Sequence, residues 1–156
     1  MTDIAEGLEP RTPAELVAAA VQTEREAAWF YRMMAEMSSD DEAKKTLLTL
    51  SEDEESHATA LVNLYFELTG HGITQPVSSQ AEGDPNLFDF STTSRRDALE
   101  FALQNETKAV EIYNEQADLA TNPRVATVFR ILADTERDHA AYLRLQLDRL
   151  DAPDSP

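Results

Sequence analysis

The stretch LSEDEESH, at residues 50–57, returns 82 residues later as LADTERDH, at residues 132–139. In both stretches a glutamate stands three positions before a histidine: Glu54 and His57, then Glu136 and His139. Residues three apart on a helix lie on one face, about one turn from each other. Each stretch is therefore predicted to be helical and to present a carboxylate and an imidazole side by side.

The repeat extends outward from these stretches over two long amphipathic segments. Pairs at the same spacing include Ala20/Ala102, Gln22/Gln104, Glu24/Glu106, Ala27/Ala109, Tyr31/Tyr113 and Leu61/Leu143. In both halves a glutamate also precedes the Glu-x-x-His glutamate by 30 residues, from 24 to 54 and from 106 to 136. The chain is therefore interpreted as an internal duplication of one helical hairpin.

Capping residues set the limits of the predicted helices. A Thr, Ser or Asn before the first helical turn, with proline at the first helical position, is typical of a start, and glycine is typical of a stop. These signals stand at Thr12-Pro13, Gly70, Thr93 or Ser94, and Asn122-Pro123. They predict antiparallel hairpins at 13–70 and 93–150, a crossover at 71–92, and tails at 1–12 and 151–156.

Two helical hairpins joined by one long crossover predict an all-α four-helix bundle of ferritin-like connectivity. A coiled-coil dimer is the structural alternative, and the short turns within each hairpin disfavour it. The crossover also permits the two hairpins to be exchanged between chains. The apolar stripe of the fourth helix is expected to bury Val128, Ile131, Leu132, Leu143 and Leu147.

Composition excludes several classes of protein. The 156 residues include 13 basic and 30 acidic side chains, a net charge of −17 that disfavours nucleic acid and anionic membranes as partners. No apolar run approaches the roughly 20 residues of a membrane span, and no secretory signal is visible, so a cytoplasmic location is expected. The absence of cysteine excludes disulfides, iron–sulfur clusters and thiolate zinc sites.

The polar residues that are identical in both halves of the repeat form a candidate metal site. The predicted ligands, and with them the catalytic residues, are Glu24, Glu54, His57, Glu106, Glu136 and His139. Four carboxylates in one core would repel each other, and two divalent cations would balance their charge. Mixed carboxylate and imidazole ligands favour two iron ions, with manganese as the second choice. The alternative is a glutamate-rich helix surface with histidines in solvent.

Tyr31 and Tyr113 lie two turns beyond Glu24 and Glu106 on the same helix faces. Their hydroxyls are candidates to hydrogen-bond a ligating carboxylate across the bundle and orient it, or else they are packing residues with the hydroxyl at the surface. A further group is expected to lie in the core or in a dimer contact: Trp29, Phe30, Met33, Met34 and Met37. His71, between two glycines, is expected to be a solvated loop residue.

At residues 13–150 the sequence resembles the ferritin-like superfamily and, within it, the rubrerythrin-like di-iron proteins. The resemblance is carried by QTEREAAWFY and LSEDEESH in the first half and by LQNETKAVEIY and LADTERDH in the second. It implies a di-iron centre that reacts with oxygen or hydrogen peroxide. By position it also implies that the six predicted ligands bind iron and that Glu54 and Glu136 bridge the two ions.

Three departures from full rubrerythrins qualify the resemblance. The chain contains no cysteine, so it lacks a cysteine-ligated rubredoxin domain, and an external electron donor is implied. Ala109 stands where full rubrerythrins carry an extra glutamate, which leaves a symmetric set of six ligands closer to the bacterioferritin type. The sequence ends after the fourth helix without the fifth helix of shell-forming ferritins, so a homodimer is expected rather than a cage.

These observations favour an oxidoreductase that reduces hydrogen peroxide or oxygen at the iron pair. The alternative is a ferroxidase or iron-binding protein for iron storage or delivery, which would take up more than two irons per chain. A third possibility is a metal-free or structurally metallated bundle that acts as an interaction module.

Overall fold

The computed structural model describes residues 12–73 and 94–152, which form four α-helices and no strand. The helices are α1 (Pro13–Met37), α2 (Asp41–Thr69), α3 (Arg95–Leu119) and α4 (Pro123–Asp151). The predicted all-α class is confirmed. The predicted limits differ from these by a residue or two: α3 follows the N-cap Ser94, and α4 runs one residue into the predicted tail.

The helix ends carry the caps that the sequence indicates. Thr12 and Glu15 form a capping box, in which each side chain accepts a hydrogen bond from the other residue's backbone N–H. The Asn122 side chain accepts two backbone N–H groups at the start of α4. Gly70 ends α2 with a φ of 77°, a left-handed conformation that favours glycine. Local sequence therefore determines where each helix starts and stops.

Each hairpin is antiparallel, and the two hairpins contact each other through α1 with α3, α2 with α4 and α2 with α3. Between α1 and α3, Tyr31 pairs with Glu106 and Glu24 pairs with Tyr113, so residue numbers rise along one helix as they fall along the other. Between α2 and α4, the Thr46 hydroxyl donates to the Gln146 side chain over 3.0 Å, near the start of α2 and the end of α4. These helix pairs therefore run antiparallel, whereas α2 and α3, which also contact each other, run in the same direction.

Ion pairs mark the two ends of the bundle. Arg124 at the start of α4 donates to Glu67 near the end of α2, at 3.0 Å, whereas Arg95 at the start of α3 donates to Asp40 at the α1–α2 turn, at 2.5 Å. The chain therefore leaves the described part at residue 73 at one end and re-enters it at residue 94 at the other. The predicted crossover, apart from 71–73, lies outside the described residues, as do residues 1–11 and 153–156 of the tails.

The buried apolar residues form two clusters, one towards each end of the bundle. Cluster A contains Val17, Ala20, Val21, Leu61, Leu64, Tyr113, Ala117, Val125, Phe129, Leu132 and Ala133. Cluster B contains Tyr31, Met34, Ala35, Leu47, Leu50, Ala98, Leu99, Ala102, Leu143 and Leu147. On every helix one buried glutamate lies between the two clusters: Glu24, Glu54, Glu106 and Glu136. The core is thus interrupted by a layer of carboxylates.

Some predicted core positions are wrong. Ile131 is 59% exposed, because its neighbour Leu132 occupies the buried stripe of α4 instead. Met34 is buried in cluster B, and Met37 at the end of α1 and Trp29 in its middle are exposed, so that a dimer contact stays the prediction for these two. His71 is exposed, as expected. None of the described helices is both long enough and apolar enough to cross a membrane.

Candidate metal centre

The six predicted ligands converge at mid-height in the bundle, in the layer between the two apolar clusters. α1 and α3 each contribute one glutamate, and α2 and α4 each contribute a Glu-x-x-His pair. The four glutamates are at most 2% exposed. The side chains of His57 and His139 are 14% and 12% exposed, and their rings stack with centroids 5.9 Å apart. The alternative of a solvated glutamate-rich surface is therefore wrong.

The six residues form two overlapping groups whose donor atoms lie within 4.8 Å of one another. The first group is Glu24, Glu54, His57 and Glu136, and the second is Glu54, Glu106, Glu136 and His139. Glu54 and Glu136 belong to both groups. Each group is of a kind that can hold one cation, and the two groups have these two carboxylates in common.

The two oxygens of each shared carboxylate point to different histidines. Glu54 places Oε2 3.4 Å from Nδ1 of His57 and Oε1 3.5 Å from Nδ1 of His139. Glu136 places Oε1 3.0 Å from Nδ1 of His57 and Oε2 3.1 Å from Nδ1 of His139. Of the two histidines, Glu24 pairs only with His57, with Oε2 at 3.6 Å from Nδ1. Glu106 correspondingly lies 3.7 Å from Nδ1 of His139 alone.

Three polar atoms of this layer are buried without a hydrogen bond: Glu54 Oε1, His57 Nδ1 and Glu136 Oε1. The His57 and Glu136 atoms are close enough to attract each other but are not oriented for a hydrogen bond. Leaving such atoms unsatisfied is costly, because they have lost their contacts with water. All three atoms belong to residues of the two groups, so the residues present fit a divalent cation.

The charges of the layer shift the pKa values of its members strongly. Burial raises the pKa of Glu54 to about 9 and that of Glu106 to about 8, with neighbouring carboxylates adding to the effect. Burial opposes a charged imidazole, but the surrounding carboxylates raise the pKa of His57 to about 12 and raise the pKa of His139 as well. The pKa of Glu136 is lowered, because both histidines stabilise its charge against the opposing effect of burial. Without cations, bound protons therefore offset the negative charge of the carboxylates in this layer. A cation that binds there has to displace those protons.

Both predicted tyrosines reach a glutamate of the opposite hairpin. The Tyr31 hydroxyl donates to Glu106 Oε1 at 2.9 Å, and the Tyr113 hydroxyl donates to Glu24 Oε1. Both side chains are buried, and burial raises the pKa of each phenol well above its usual range. The hydroxyls therefore remain protonated donors, and the alternative of a surface hydroxyl is wrong.

One residue of the layer was missed by reasoning from the sequence. Asp53, on α2, places Oδ2 3.0 Å from Nε2 of His139, on the side of the ring that faces away from the glutamates. Its counterpart in the repeat is Thr135, so Asp53 does not appear among the residues that the two halves share. The sequence marks it only by its position directly before Glu54, and the contact with His139 is what shows that it lies on the side of α2 facing α4.

A cavity of about 350 Å³ opens between α1 and α3 and reaches the carboxylates. All four buried glutamates line it, and its walls include Ala27 and Ala109, the paired small residues of the repeat. Thr23 and Lys108, both exposed, lie among its polar lining residues. Because a water molecule occupies roughly 30 Å³ of liquid, the cavity has room for several small molecules beside the layer.

Known proteins resemble this chain in sequence and in fold. Residues 12–149 match the family of the ferritin-like domain. The uncharacterized protein YhjR of Bacillus subtilis is 28% identical over 123 residues, which are 79% of this chain and 78% of that protein. The solved structure of a hypothetical protein from Pyrococcus furiosus has a similar fold, with a TM-score of 0.67, 24% identity and 92% of each chain covered. With four helices and a buried Glu/His cluster compatible with metal binding, the chain belongs to the ferritin-like domain family.

Proposed function

We propose that the protein is a non-haem di-iron oxidoreductase of the rubrerythrin type, which reduces hydrogen peroxide or oxygen at a carboxylate-bridged iron pair. The observation that carries the proposal is the membership of Glu54 and Glu136 in both donor groups, with one oxygen directed at each histidine. When bound, a ferrous pair supplies the two electrons that, with two protons, convert one hydrogen peroxide into two waters.

The side chains of the layer have distinct proposed roles. Glu54 and Glu136 hold both ions, while Glu24 with His57 and Glu106 with His139 complete one subsite each. The tyrosine hydroxyls keep Glu24 and Glu106 oriented, because each hydrogen bond occupies one carboxylate oxygen. A proposed catalytic role for all six ligands follows from this division.

The cavity supports a small oxidant as the substrate. It leads from solvent between α1 and α3 to the carboxylates, and the alanine pair on its walls leaves room that a longer side chain at either position would fill. Oxygen and hydrogen peroxide both fit this space, and protons from solvent have the same route. Electrons come from an external donor, and a homodimer in the cytoplasm is the proposed state of the protein.

The proposal is tested by loading the metal-free protein with ferrous iron without oxygen and recording absorbance after mixing with peroxide or oxygen. Two irons per chain, and an oxo-bridged ferric absorption that forms faster with peroxide, are expected. Glu54→Gln should abolish the reaction while helix content is retained. Glu52→Gln is the matched control, because Glu52 is exposed on the same helix outside both donor groups.

Retained turnover in Glu54→Gln, or no iron binding by the unmodified protein, would contradict the assignment. The same titration with Mn²⁺ identifies the preferred metal. If the manganese-loaded protein reacts faster than the iron-loaded protein, manganese replaces iron as the proposed metal.

A second candidate function is ferrous iron oxidation for storage or delivery, with iron as substrate. The acidic Glu26 lines the cavity, and the net charge of −17 attracts cations to the molecule. Ala109 stands where full rubrerythrins carry an extra glutamate, and the symmetric set of six ligands that remains is closer to the bacterioferritin type. This function predicts a faster reaction with oxygen than with peroxide and continued iron uptake beyond two per chain, measured in the same loading experiment.

A further inference from the structure

The two halves of the layer differ at the position directly before the shared glutamate. In the first half this residue is Asp53, and in the second it is Thr135, at the 82-residue spacing of the repeat. All six proposed ligands are identical between the halves. The difference therefore concerns only what supports the ligands from outside.

Asp53 supports the histidine of the other half. Its Oδ2 accepts a hydrogen bond from Nε2 of His139 over 3.0 Å, and Nδ1 of the same ring faces Glu136 Oε2 at 3.1 Å. A carboxylate on Nε2 holds the proton there and leaves Nδ1 as the metal-binding nitrogen. It also makes the imidazole a stronger ligand and holds the ring in place.

Thr135 gives His57 no such support. Its hydroxyl donates to the carbonyl of Ile131, one turn earlier in α4, at 3.0 Å. Across residues 12–73 and 94–152, no protein group hydrogen-bonds Nε2 of His57, and the three carboxylates that pair with this ring all approach Nδ1. Among these described residues the His57 ring therefore has no hydrogen bond at either nitrogen, whereas the His139 ring has one at each.

We propose that the two subsites bind divalent cations with unequal affinity, and that Asp53 is the positioning residue that makes the His139 subsite the tighter one. The first cation enters among Glu54, Glu106, Glu136 and His139, and the second enters beside His57. The inference rests on the proposed function, since it requires that the layer hold two cations. Removal of an outer partner of a metal-bound histidine typically lowers metal affinity about 10–100-fold.

The test is a titration of the metal-free protein with Co²⁺, followed by calorimetry and by the visible absorption of the bound ion. The unmodified protein should bind two ions in two resolved steps. Asp53→Thr makes the halves alike, so the tighter step should weaken about 10–100-fold and merge with the second. Thr135→Asp should tighten the weaker step, and Glu52→Gln should leave both steps unchanged.

Proton resonances of the cobalt form provide a readout that a loss of stability does not imitate. The Nε2 proton of His139, held by Asp53, should give a shifted resonance that exchanges slowly with water and is lost in Asp53→Thr. Two equal steps in the unmodified protein, or two unequal steps that survive Asp53→Thr, would overturn the inference while leaving the two-cation site intact. No Co²⁺ binding at all would instead overturn the proposed function and the inference together.

Discussion

The ends of the bundle and its middle are built on opposite principles. Clusters A and B bury aliphatic and aromatic side chains from all four helices, whereas the layer between them buries four carboxylates that water would solvate better. Burial at the ends stabilises the fold, and burial in the middle opposes it. Stability and chemistry are therefore located in separate layers. A substitution in a cluster should lower stability without changing cation binding, and a substitution in the carboxylate layer should do the reverse.

The double variant Glu54→Gln/Glu106→Gln should give the largest separation of the two properties. Burial raises the pKa of both carboxyl groups, so the fold favours their neutral forms, and a neutral amide of the same shape should leave the metal-free bundle as stable as before. Cation binding should be lost, because each subsite loses a charged donor. Calorimetric titration with Mn²⁺ and thermal unfolding in a chelator measure the two effects, and a metal-free protein that fails to fold would show that the layers are not separate.

Phe129→Ala should give the reverse result. Phe129 is fully buried in cluster A and stacks on Tyr113, so its truncation should lower the free energy of unfolding by about 3–5 kcal/mol. At low temperature the folded variant should still bind two cations. Denaturant unfolding measures the loss, with the exposed Ile131→Ala as control at within about 0.5 kcal/mol. Loss of cation binding in a folded Phe129→Ala variant would show that cation binding depends on the packing of cluster A.

The response to pH should also distinguish the middle from the ends. The pKa values of Glu54, Glu106 and His57 are all raised, from ordinary values of 4.5, 4.5 and 6.5 to about 9, 8 and 12. Between pH 5 and 9 the folded chain therefore holds more protons than the unfolded chain, and stability falls as the pH rises. Glu136, with its lowered pKa, titrates below this window.

The metal-free protein should accordingly show a falling Tm from pH 5 to 9. Because cations compete with the same protons, the increase in Tm on adding Mn²⁺ should grow over that range. Thermal scans with chelator and with Mn²⁺ measure both trends. A Tm that rises with pH in the presence of chelator would mean that bound protons do not offset the charge of the carboxylates in the metal-free protein.

The smallest effect is expected from Tyr31→Phe and Tyr113→Phe. Each change removes one hydroxyl from a glutamate of the opposite hairpin and keeps the ring in its cluster. A net loss of about 0.5–1.5 kcal/mol per hydrogen bond is expected, together with weaker binding at the subsite of the released glutamate. Titration of each single variant assigns the weaker step to Glu106 or Glu24, and unchanged titrations would limit both tyrosines to packing.

Much of the fold follows from local sequence. Thr12-Pro13, Gly70 and Asn122-Pro123 act through backbone hydrogen bonding within one or two turns, so their effect is readable without tertiary information. Ile131 was misplaced because neighbouring apolar residues at the edge of a stripe differ little in sequence but face different surroundings. The cavity between α1 and α3 depends on the separation of two helices, which no local pattern specifies.

The site was predictable where the repeat preserved it. The six ligands and both tyrosines occur in both halves, so the comparison of the chain with itself selected them from the acidic surface. Asp53 was not selectable in this way, because its role depends on a contact from α2 to α4 that only one half makes. Asymmetric contributions of this kind need the structure.

The long connection between residues 73 and 94 has a consequence for how the molecule can evolve. If two identical hairpins associated as separate chains, every mutation would occur in both, and the two sides of the centre would stay equal by symmetry. Joined in one polypeptide, the hairpins are free to drift apart. The difference between Asp53 and Thr135 could not arise between two identical chains, so joining the hairpins allows each side of the centre to change independently.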